Sequence, residues 1–345
     1  MMYKIIQGSK TLTSLIKNKL GIITPILVQL KPTFRCNMKC PYCSVHVHGT
    51  KIYPEKKEAT TSEFYNLLEK YSNNGATILN ITGGEPLLRK DIVELLKYSK
   101  KIGFYVILNT DGILLNNFLD NNEFVNSIDK LRISLDSPTI HDKIRGTKNT
   151  FDKITKNIKK ARKKKVDVTI NSVIFKDNFH EMESLCKLAK KLDSKITLTP
   201  ANYYEFTVSS KKENPTKFNN INRELFVKKV KKLKKEYKNL VNTNQHLDHL
   251  INKEQSNKKC DALSYVATIL PDGKLALPCE IYVKESIDIR EKSIKEITKS
   301  EKFIQYKKKT GKILVCKECE SRCVLFPQTL LNFRNILDLI FNWNL

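Results

Sequence analysis

From about residue 25 to residue 200 the chain alternates short apolar runs with amphipathic stretches, and this alternation constrains the fold more than any other feature. Strands that alternate with helices favour a parallel sheet with the helices outside it. The apolar runs predict strands and the residues at helical spacing predict helices. Strands are expected at 25–30, 76–82, 104–112, 130–138, 166–175 and 195–200, and helices at 61–74, 90–103, 116–126, 150–165 and 179–192.

Six strand–helix units are too few for a closed eight-stranded barrel, so the sequence predicts an α/β fold with an incomplete (β/α)6 TIM-like barrel. Polar or reactive residues follow four of the predicted strands. Because the carboxyl ends of barrel strands form the active face, these residues are expected at one mouth. They are Cys36, Cys40 and Cys43, then Gly83 to Pro86, then Asn109 to Asp111, then Ser134 and Asp136.

The nine cysteines fall into two groups and one isolated residue. Three lie in "RCNMKCPYC" (35–43), five lie between residues 260 and 323, and Cys186 lies on the apolar side of a predicted helix, where it is expected in the core. A secreted disulfide scaffold would be smaller, and the amino-terminal stretch lacks the apolar core of a signal peptide. We therefore predict a cytoplasmic, reduced protein whose clustered thiols bind metal.

Cysteine thiolates hold 4Fe–4S clusters, normally one thiolate to each iron. Three thiolates on one loop leave the fourth iron open for a ligand. The Cys-x3-Cys-x2-Cys spacing, with Tyr42 before the last cysteine, resembles the radical S-adenosylmethionine (radical SAM) enzymes, and "GGEP" (83–86) resembles that family's motif for the methionine amino group. The resemblance covers about residues 25–200.

The resemblance implies a 4Fe–4S cluster on Cys36, Cys40 and Cys43 and S-adenosylmethionine on its open iron. One-electron reduction, by a donor such as flavodoxin or ferredoxin, would cleave S-adenosylmethionine to a 5′-deoxyadenosyl radical that abstracts hydrogen from the substrate. The protein would position the reactants and exclude water. The residues implied for S-adenosylmethionine binding are Tyr42, Gly83, Gly84, Glu85, Pro86, Ser134, Arg145 and Asn171.

Several of these residues have more than one interpretation. Arg145 resembles an arginine that pairs with the S-adenosylmethionine carboxylate in related maturases, and Glu85 would accept from the methionine ammonium or from a backbone amide. For Ser134, Arg145 and Asn171 the alternative is ordinary structure at the barrel mouth. Asp111 and Asp136 are interpreted as turn caps. The histidines of "VHVHG" (45–49) are not expected to bind metal.

The second cysteine group contains a predicted β-hairpin between Cys260 and Cys279, followed by "CKECESRC" (316–323). This pattern resembles the SPASM domain of radical SAM enzymes or its shorter form, Twitch, in a small α+β domain. It implies one auxiliary 4Fe–4S cluster on Cys260, Cys279, Cys316 and Cys319, with Cys323 spare or replacing one of them. The alternative is a structural zinc site, because four thiolates also suit zinc.

The predicted organisation is a basic N-terminal helix (1–24), a radical SAM partial barrel (25–240), an auxiliary cluster domain (241–328) and an apolar C-terminal helix (329–345). The net charge of +26 comes from 62 Lys+Arg against 36 Asp+Glu. Basic runs at helical spacing predict solvated helix faces, with an acidic partner as the alternative. The C-terminal helix is too short to span a bilayer, and either packs on the barrel or lies in a membrane surface.

We expect a radical SAM oxidoreductase of the maturase type that modifies a ribosomally made peptide or protein or a small natural-product precursor. A second hypothesis is modification of a lipid at the membrane surface, with peripheral membrane contact. A hypothesis of another class is a non-catalytic, zinc-stabilised protein that binds nucleic acid. The Gly-Gly-Glu-Pro segment opposes that hypothesis, and nucleic acid is not expected as a partner.

Overall fold

The structure is a computed structural model that describes residues 2–43, 45, 58–201, 221–251, 260–280, 282–313, 316 and 319–320. Within these residues one nine-stranded sheet forms the centre of the molecule, in the order β6-β5-β4-β3-β2-β1-β7-β8-β9. The strands are β1 Leu27–Leu30, β2 Ile78–Ile81, β3 Tyr105–Thr110, β4 Lys130–Ser134, β5 Val168–Ile174, β6 Lys195–Pro200, β7 Val266–Ile269, β8 Leu275–Pro278 and β9 Val283–Ile287.

Helices follow most of the strands. One of them, Thr61–Asn73, begins at a capping box in which the Thr60 side chain accepts from the Glu63 amide and the Glu63 side chain accepts from the Thr60 amide. The helices are α1 Met2–Lys19, α2 Thr61–Asn73, α3 Ile92–Lys101, α4 Asn122–Asn126, α5 His141–Arg145, α6 Phe151–Lys163, α7 Met182–Lys191, α8 Arg223–Glu236, α9 Asn244–Ile251, α10 Ala262–Tyr265, α11 Ile294–Lys299 and α12 Glu301–Lys309.

Strands β1 to β6 pair in parallel along the sheet, each with the next in sequence. Their helices pack outside and share one large apolar core with the sheet. The predicted incomplete (β/α)6 barrel is confirmed, with strand ends that differ by a few residues from those expected. The short helix α5 was not predicted, because five residues carry too little periodicity to identify a helix.

The C-terminal strands extend the barrel sheet. Strand β7 pairs in parallel with β1, with Leu27 opposite Val266, and then turns into an antiparallel hairpin with β8. The hairpin is as predicted, whereas β9 was missed because its residues Val283–Ile287 are mostly exposed and lack an apolar alternation. The side chain of Lys70 on α2 donates to the backbone oxygens of Ile289 at 2.6 Å and Arg290 at 2.7 Å. The small C-terminal unit is therefore continuous with the barrel.

Two predictions about helix packing are confirmed. Cys186 on α7 is fully buried, as expected for a core residue. On α8 the residues Phe226, Val230 and Leu233 are buried while most of the lysines between them are exposed, so this basic run is an amphipathic helix with a solvated face.

Some predictions concern residues outside those that the structure describes. They are His46, His48, Cys323 and the C-terminal stretch 329–345. Within the described part of the chain, no helix is both long and apolar enough to cross a membrane.

Candidate active site

The cysteine loop leaves the carboxyl end of β1 and carries all three thiols of the first group. Cys36 is exposed, Cys43 is half-buried and Cys40 is buried. The backbone of the loop is folded on itself, since the Cys43 amide donates to the Cys40 oxygen at 3.1 Å. The Met38 amide donates to the Cys36 sulfur at 3.4 Å. Burial raises the pKa of Cys40 to about 11, so a bound cation would be needed to stabilise its thiolate.

The Gly-Gly-Glu-Pro segment after β2 lies against this loop. The amide of Gly84 donates to the Thr33 oxygen at 2.9 Å, and the amide of Glu85 donates to the Arg35 oxygen at 2.8 Å. A Cβ at Gly84 would lie 2.1 Å from the Arg35 oxygen, and one at Gly83, where φ is +120°, would lie 2.5 Å from the Thr33 oxygen. Only glycine permits this approach, and the backbone approached is that of the cysteine loop.

Glu85 is buried and its carboxylate ties the segment to the end of β3. It accepts from the Leu87 amide at 3.0 Å, the Thr110 hydroxyl at 2.9 Å and the Asp111 amide at 2.7 Å. Of the two predicted roles for Glu85, the structure shows the bond to backbone amides. Burial raises the pKa of Glu85 well above its ordinary value, and the neighbouring Asp111 carboxylate adds to the rise. Pro86 begins a short 3-10 helix, Pro86–Leu88.

Asp111 and Asn37 bring acceptor oxygens to the same corner. One Asp111 oxygen accepts from the Ile113 amide at 2.8 Å and so caps a turn, as predicted. The other Asp111 oxygen and the side-chain oxygen of Asn37 are buried and have no hydrogen-bond partner among the described residues. An acceptor pair of this kind beside the cysteine loop fits a ligand that supplies N–H donors.

Arg145, the last residue of α5, approaches the cysteine loop at Cys40 and is held by Asp136. Its Nε and Nη2 donate to the two Asp136 oxygens at 2.6 and 3.0 Å, and its Nη1 lies 4.0 Å from the Cys40 sulfur. Asp136 is fully buried and also accepts from the Val173 amide at 2.8 Å, so it anchors an arginine and does not merely cap a turn. Burial opposes the charge of Arg145, but Asp136 holds the pKa of Arg145 well above its ordinary value.

Tyr42 completes this arrangement from within the cysteine loop. Its hydroxyl donates to Asp136 at 3.2 Å and its ring centroid lies 5.0 Å from that of Phe175. The Arg145 guanidinium lies 5.6 Å from the Tyr42 ring centroid, within the range of a cation–π contact. The loop, α5 and β5 therefore share one polar network around a buried ion pair.

Two residues behind Asp136 were not predicted as part of the site. The Asp136 amide donates to His141 Nδ1 at 3.1 Å, and the Asn178 side chain donates to the backbone oxygen of Asp136 at 2.7 Å. His141 lies at the start of α5, but Asn178 lies beyond β5, so only the folded chain brings it to Asp136. The sequence signal for these residues is weak, because single polar residues in a loop are common.

Ser134 and Asn171 lie opposite each other on β4 and β5 and are half-buried. The Asn171 side-chain oxygen accepts from the Thr197 hydroxyl at 2.6 Å, and this contact reaches β6. Ser134 is the last residue of β4, as predicted, and Asn171 is the central residue of β5. Their roles toward S-adenosylmethionine stay predictions.

The auxiliary cysteines come from three segments near the hairpin. Cys260 precedes α10, Cys279 follows β8, and Cys316 and Cys319 come from the segment after α12, and all four are half-buried. Burial raises the pKa of Cys260 to about 12, and the Cys319, Cys316 and Cys279 thiols add to the rise because they lie close enough to repel its charge. The four predicted ligands are thus brought together.

Helices α8 and α9 hold Cys319 and the residue after it in place. His249 bonds the Cys319 oxygen at 3.1 Å and His246 bonds the Glu320 oxygen at 3.0 Å. Arg223 donates to the Glu320 carboxylate at 2.8 Å and to the Ala201 oxygen at 2.9 Å. These supports of the auxiliary site were not predicted, since nothing in their spacing relates them to the cysteines.

The donor sets at both sites fit iron–sulfur clusters. Each consists of thiols only, three on the barrel loop and four in the C-terminal unit, and thiolates bind clusters one per iron. Among the described residues, no three His, Cys, Asp or Glu side chains are arranged to hold a single metal ion.

The family models match both parts of the chain. Residues 30–189 match the radical SAM superfamily, and residues 260–320 match the SPASM iron–sulfur cluster-binding domain. The chain belongs to the radical SAM superfamily. Members of this superfamily are S-adenosylmethionine-dependent iron–sulfur enzymes, and the SPASM domain is a site for auxiliary clusters. The predicted family and its C-terminal extension are confirmed.

Curated relatives match about half of this radical SAM chain. A PqqA peptide cyclase of Bradyrhizobium diazoefficiens is 27% identical over 190 residues, which cover 54% of this chain and 49% of the relative. An AdoMet-dependent heme synthase of Methanosarcina barkeri is 31% identical over 170 residues, which cover 49% of this chain and 48% of the relative. The chain thus spans about half the length of the curated relatives it matches.

Solved structures share the fold over a larger part of the chain. Streptococcus suis SuiB bound to S-adenosylmethionine has a TM-score of 0.67 at 17% identity and covers 88% of this chain and 74% of SuiB. SuiB bound to precursor peptide SuiA has a TM-score of 0.64 at 17% identity and covers 88% of this chain and 73% of SuiB. This likeness shows that the partial barrel and the C-terminal unit are arranged as in a known radical SAM structure.

Proposed function

We propose that this chain cleaves S-adenosylmethionine reductively and uses the cleavage to modify a ribosomally made peptide. The observation that carries the proposal is the close fit between the cysteine loop and Gly83–Gly84 at the carboxyl ends of β1 and β2. This fit places three thiols, two unsatisfied acceptor oxygens and one buried arginine around the same corner. A structural zinc site would need four ligands and no such acceptor corner.

In this proposal Cys36, Cys40 and Cys43 hold a 4Fe–4S cluster and leave one iron without a protein ligand. When bound, the reduced cluster and S-adenosylmethionine supply the one-electron chemistry that removes a hydrogen atom from the substrate. The oxygens of Asn37 and Asp111 accept from the methionine ammonium. Glu85 ties the Gly-Gly-Glu-Pro segment to the end of β3 through the Thr110 hydroxyl and the Asp111 amide.

Arg145 supplies a fixed positive charge beside Cys40. Its ion pair with Asp136 uses Nε and Nη2, so Nη1 remains directed toward the cysteine loop. A guanidinium at this place favours the anionic thiolate and attracts the methionine carboxylate. Asp136 and Tyr42 fix the side chain, which lowers the entropy lost when the ligand binds.

The auxiliary ligands in this proposal are Cys260, Cys279, Cys316 and Cys319, with Cys323 outside the described residues. Peptide modification is favoured by the relatives, since one is named a peptide cyclase and SuiB was solved with a precursor peptide. A small-molecule substrate is the second candidate, because a relative at 31% identity is named a heme synthase. A cytoplasmic location and a flavodoxin or ferredoxin as electron donor complete the proposal.

The test uses anaerobically reconstituted protein with dithionite and S-adenosylmethionine, and measures 5′-deoxyadenosine by liquid chromatography. Wild type should form it, and Cys40→Ala should not, although the auxiliary iron stays. Synthetic copies of short peptides encoded beside the gene should then change mass in step with 5′-deoxyadenosine. Turnover of a tetrapyrrole in place of any peptide would favour the second candidate, and cleavage by Cys40→Ala at the wild-type rate would overturn the assignment.

A further inference from the structure

Helix α1 has several of its uncharged polar side chains turned inward. Thr11 bonds the Thr77 hydroxyl at 2.8 Å, Ser14 donates to the Gly75 oxygen at 2.9 Å and Asn18 donates to the Thr24 oxygen at 2.6 Å. Gln7 donates to the Gly103 oxygen on the same side. From Gln7 onward, these hydrogen bonds and the buried Leu15 fix the helix to the protein.

The outward side of α1 carries apolar residues. Leu12, Ile16 and Leu20 are 45%, 51% and 74% exposed, and Ile22 just beyond the helix is 57% exposed. Leu12 and Ile16 lie one turn apart on the helix, and Leu20, the first residue after it, continues this i, i+4 and i+8 spacing. We call these four residues the α1 apolar row. A contiguous row of large apolar side chains on a surface marks a contact with something else.

Lysines border the α1 apolar row. Lys19 lies on one side of it and Lys10 and Lys17 on the other, and all three are exposed. Within the described part of the chain none of the three is ion-paired. The whole chain carries a net charge of +26. An apolar line between cations is complementary to a surface that offers anionic head groups above apolar tails.

The α1 apolar row is remote from the cysteine loop. Helix α1 contacts Gly75, Thr77 and Gly103, which precede strands β2 and β3, and Leu15 packs into the cluster of Ile26, Ile78 and Tyr105 at that end. The helix thus closes the amino ends of the barrel strands, whereas the cysteines follow the carboxyl end of β1. A contact through α1 leaves the opposite mouth open to substrate.

We propose that the α1 apolar row binds this protein peripherally to an anionic membrane surface. Leu12, Ile16, Leu20 and Ile22 enter the boundary between head groups and tails, and Lys10, Lys17 and Lys19 contact the phosphates. The contact does not depend on the proposed catalytic function, because it uses none of the residues at the cysteine loop.

The experiment is sedimentation of the full-length, cluster-loaded protein with vesicles of phosphatidylcholine alone or mixed with phosphatidylglycerol. We expect binding to the mixed vesicles at low salt, loss of binding at high salt, and little binding to phosphatidylcholine. Leu12→Gln with Ile16→Gln should weaken binding by about tenfold or more. S-adenosylmethionine cleavage should remain at the wild-type rate, which shows that the variant is folded.

The matched control is Leu225→Gln with Ile304→Gln, which alters two other exposed apolar residues, 58% and 39% exposed, outside α1. This control should bind the mixed vesicles as wild type does. The proposal is overturned if wild type does not sediment with the mixed vesicles, or if both double variants bind alike. It is also overturned if light scattering shows a wild-type dimer that the α1 variant dissociates, since the row would then join two copies of the chain.

Discussion

Gly84→Ala tests whether the Gly-Gly-Glu-Pro segment acts by holding the cysteine loop. The new Cβ would lie 2.1 Å from the Arg35 oxygen and 2.8 Å from the carbonyl carbons of Phe34 and Arg35. All three are backbone atoms, so no side-chain rotation relieves the contact. The loop must move away by about 1 Å, and Cys36 is the next residue after Arg35.

The loss of stability in Gly84→Ala follows from the hydrogen bonds that this movement breaks. The bonds from Gly84 to Thr33 at 2.9 Å and from Glu85 to Arg35 at 2.8 Å would lengthen beyond hydrogen-bonding range. Each is worth about 1 kcal/mol, and overpacking adds about 1–3 kcal/mol. We therefore expect the free energy of unfolding to fall by about 3 kcal/mol or more, and the barrel cluster to be lost.

The assays are urea unfolding, iron and sulfide per chain, and 5′-deoxyadenosine formation. Gly103→Ala is the control, because φ there is +96° and the nearest atom to its Cβ is the Gln7 side chain at 3.5 Å. This variant should lower the free energy of unfolding by about 1–2 kcal/mol, because alanine is strained in the left-handed backbone conformation. Both clusters should be retained. If Gly84→Ala keeps wild-type iron content and cleavage, the reasoning about the cysteine loop is wrong.

Three further predictions concern the ion pair, a buried histidine and the auxiliary thiols. Asp136→Asn leaves the Arg145 guanidinium buried without its anion, so the urea midpoint should fall by an amount equivalent to about 3 kcal/mol; an unchanged midpoint would contradict the pairing. Burial lowers the pKa of His141 from 6.5 to about 4, so the folded state favours the neutral ring, and its contribution is complete above pH 6.5 and is lost as the pH falls. Unfolding near pH 5 should show a loss of about 2 kcal/mol that His141→Gln removes, and an equal loss in that variant would exclude His141 as its source. Cys316→Ala with Cys319→Ala removes two of four proposed thiolates, so about half of the iron should be lost while S-adenosylmethionine cleavage survives; full iron would refute the auxiliary assignment.

The sequence was sufficient for the barrel because its strands are apolar and its helices are amphipathic over many residues. Strands buried on both faces have continuous apolar sequences, as in "ATILNIT" (76–82). They can therefore be predicted without knowing which strand they pair with. The cysteine and Gly-Gly-Glu-Pro positions were equally accessible, since glycine and cysteine have chemical properties that no other residue shares. Their placement at one mouth then follows from parallel strand order.

The supports of these residues were not accessible from the sequence. From the sequence, Asp136 is interpreted as a turn residue. Only the folded chain brings it to Arg145, with which it forms an ion pair, and to Tyr42, which lies 94 positions away. His249 likewise reaches Cys319 across 70 positions through one carbonyl bond. Such contacts produce no periodic pattern in the sequence, and prediction from a single sequence depends on such patterns.

The shared sheet also places the two cysteine groups relative to each other. Strand β7 runs parallel to β1, so both point to the mouth where the Cys36 loop begins. Strand β8 runs back, so Cys279 lies toward the amino ends of the barrel strands. The two groups therefore leave the sheet at opposite ends of β1 and β7. We expect the barrel thiols and the auxiliary thiols to act as distinct centres, joined through β1, β7 and the bond from Gln29 to Glu280.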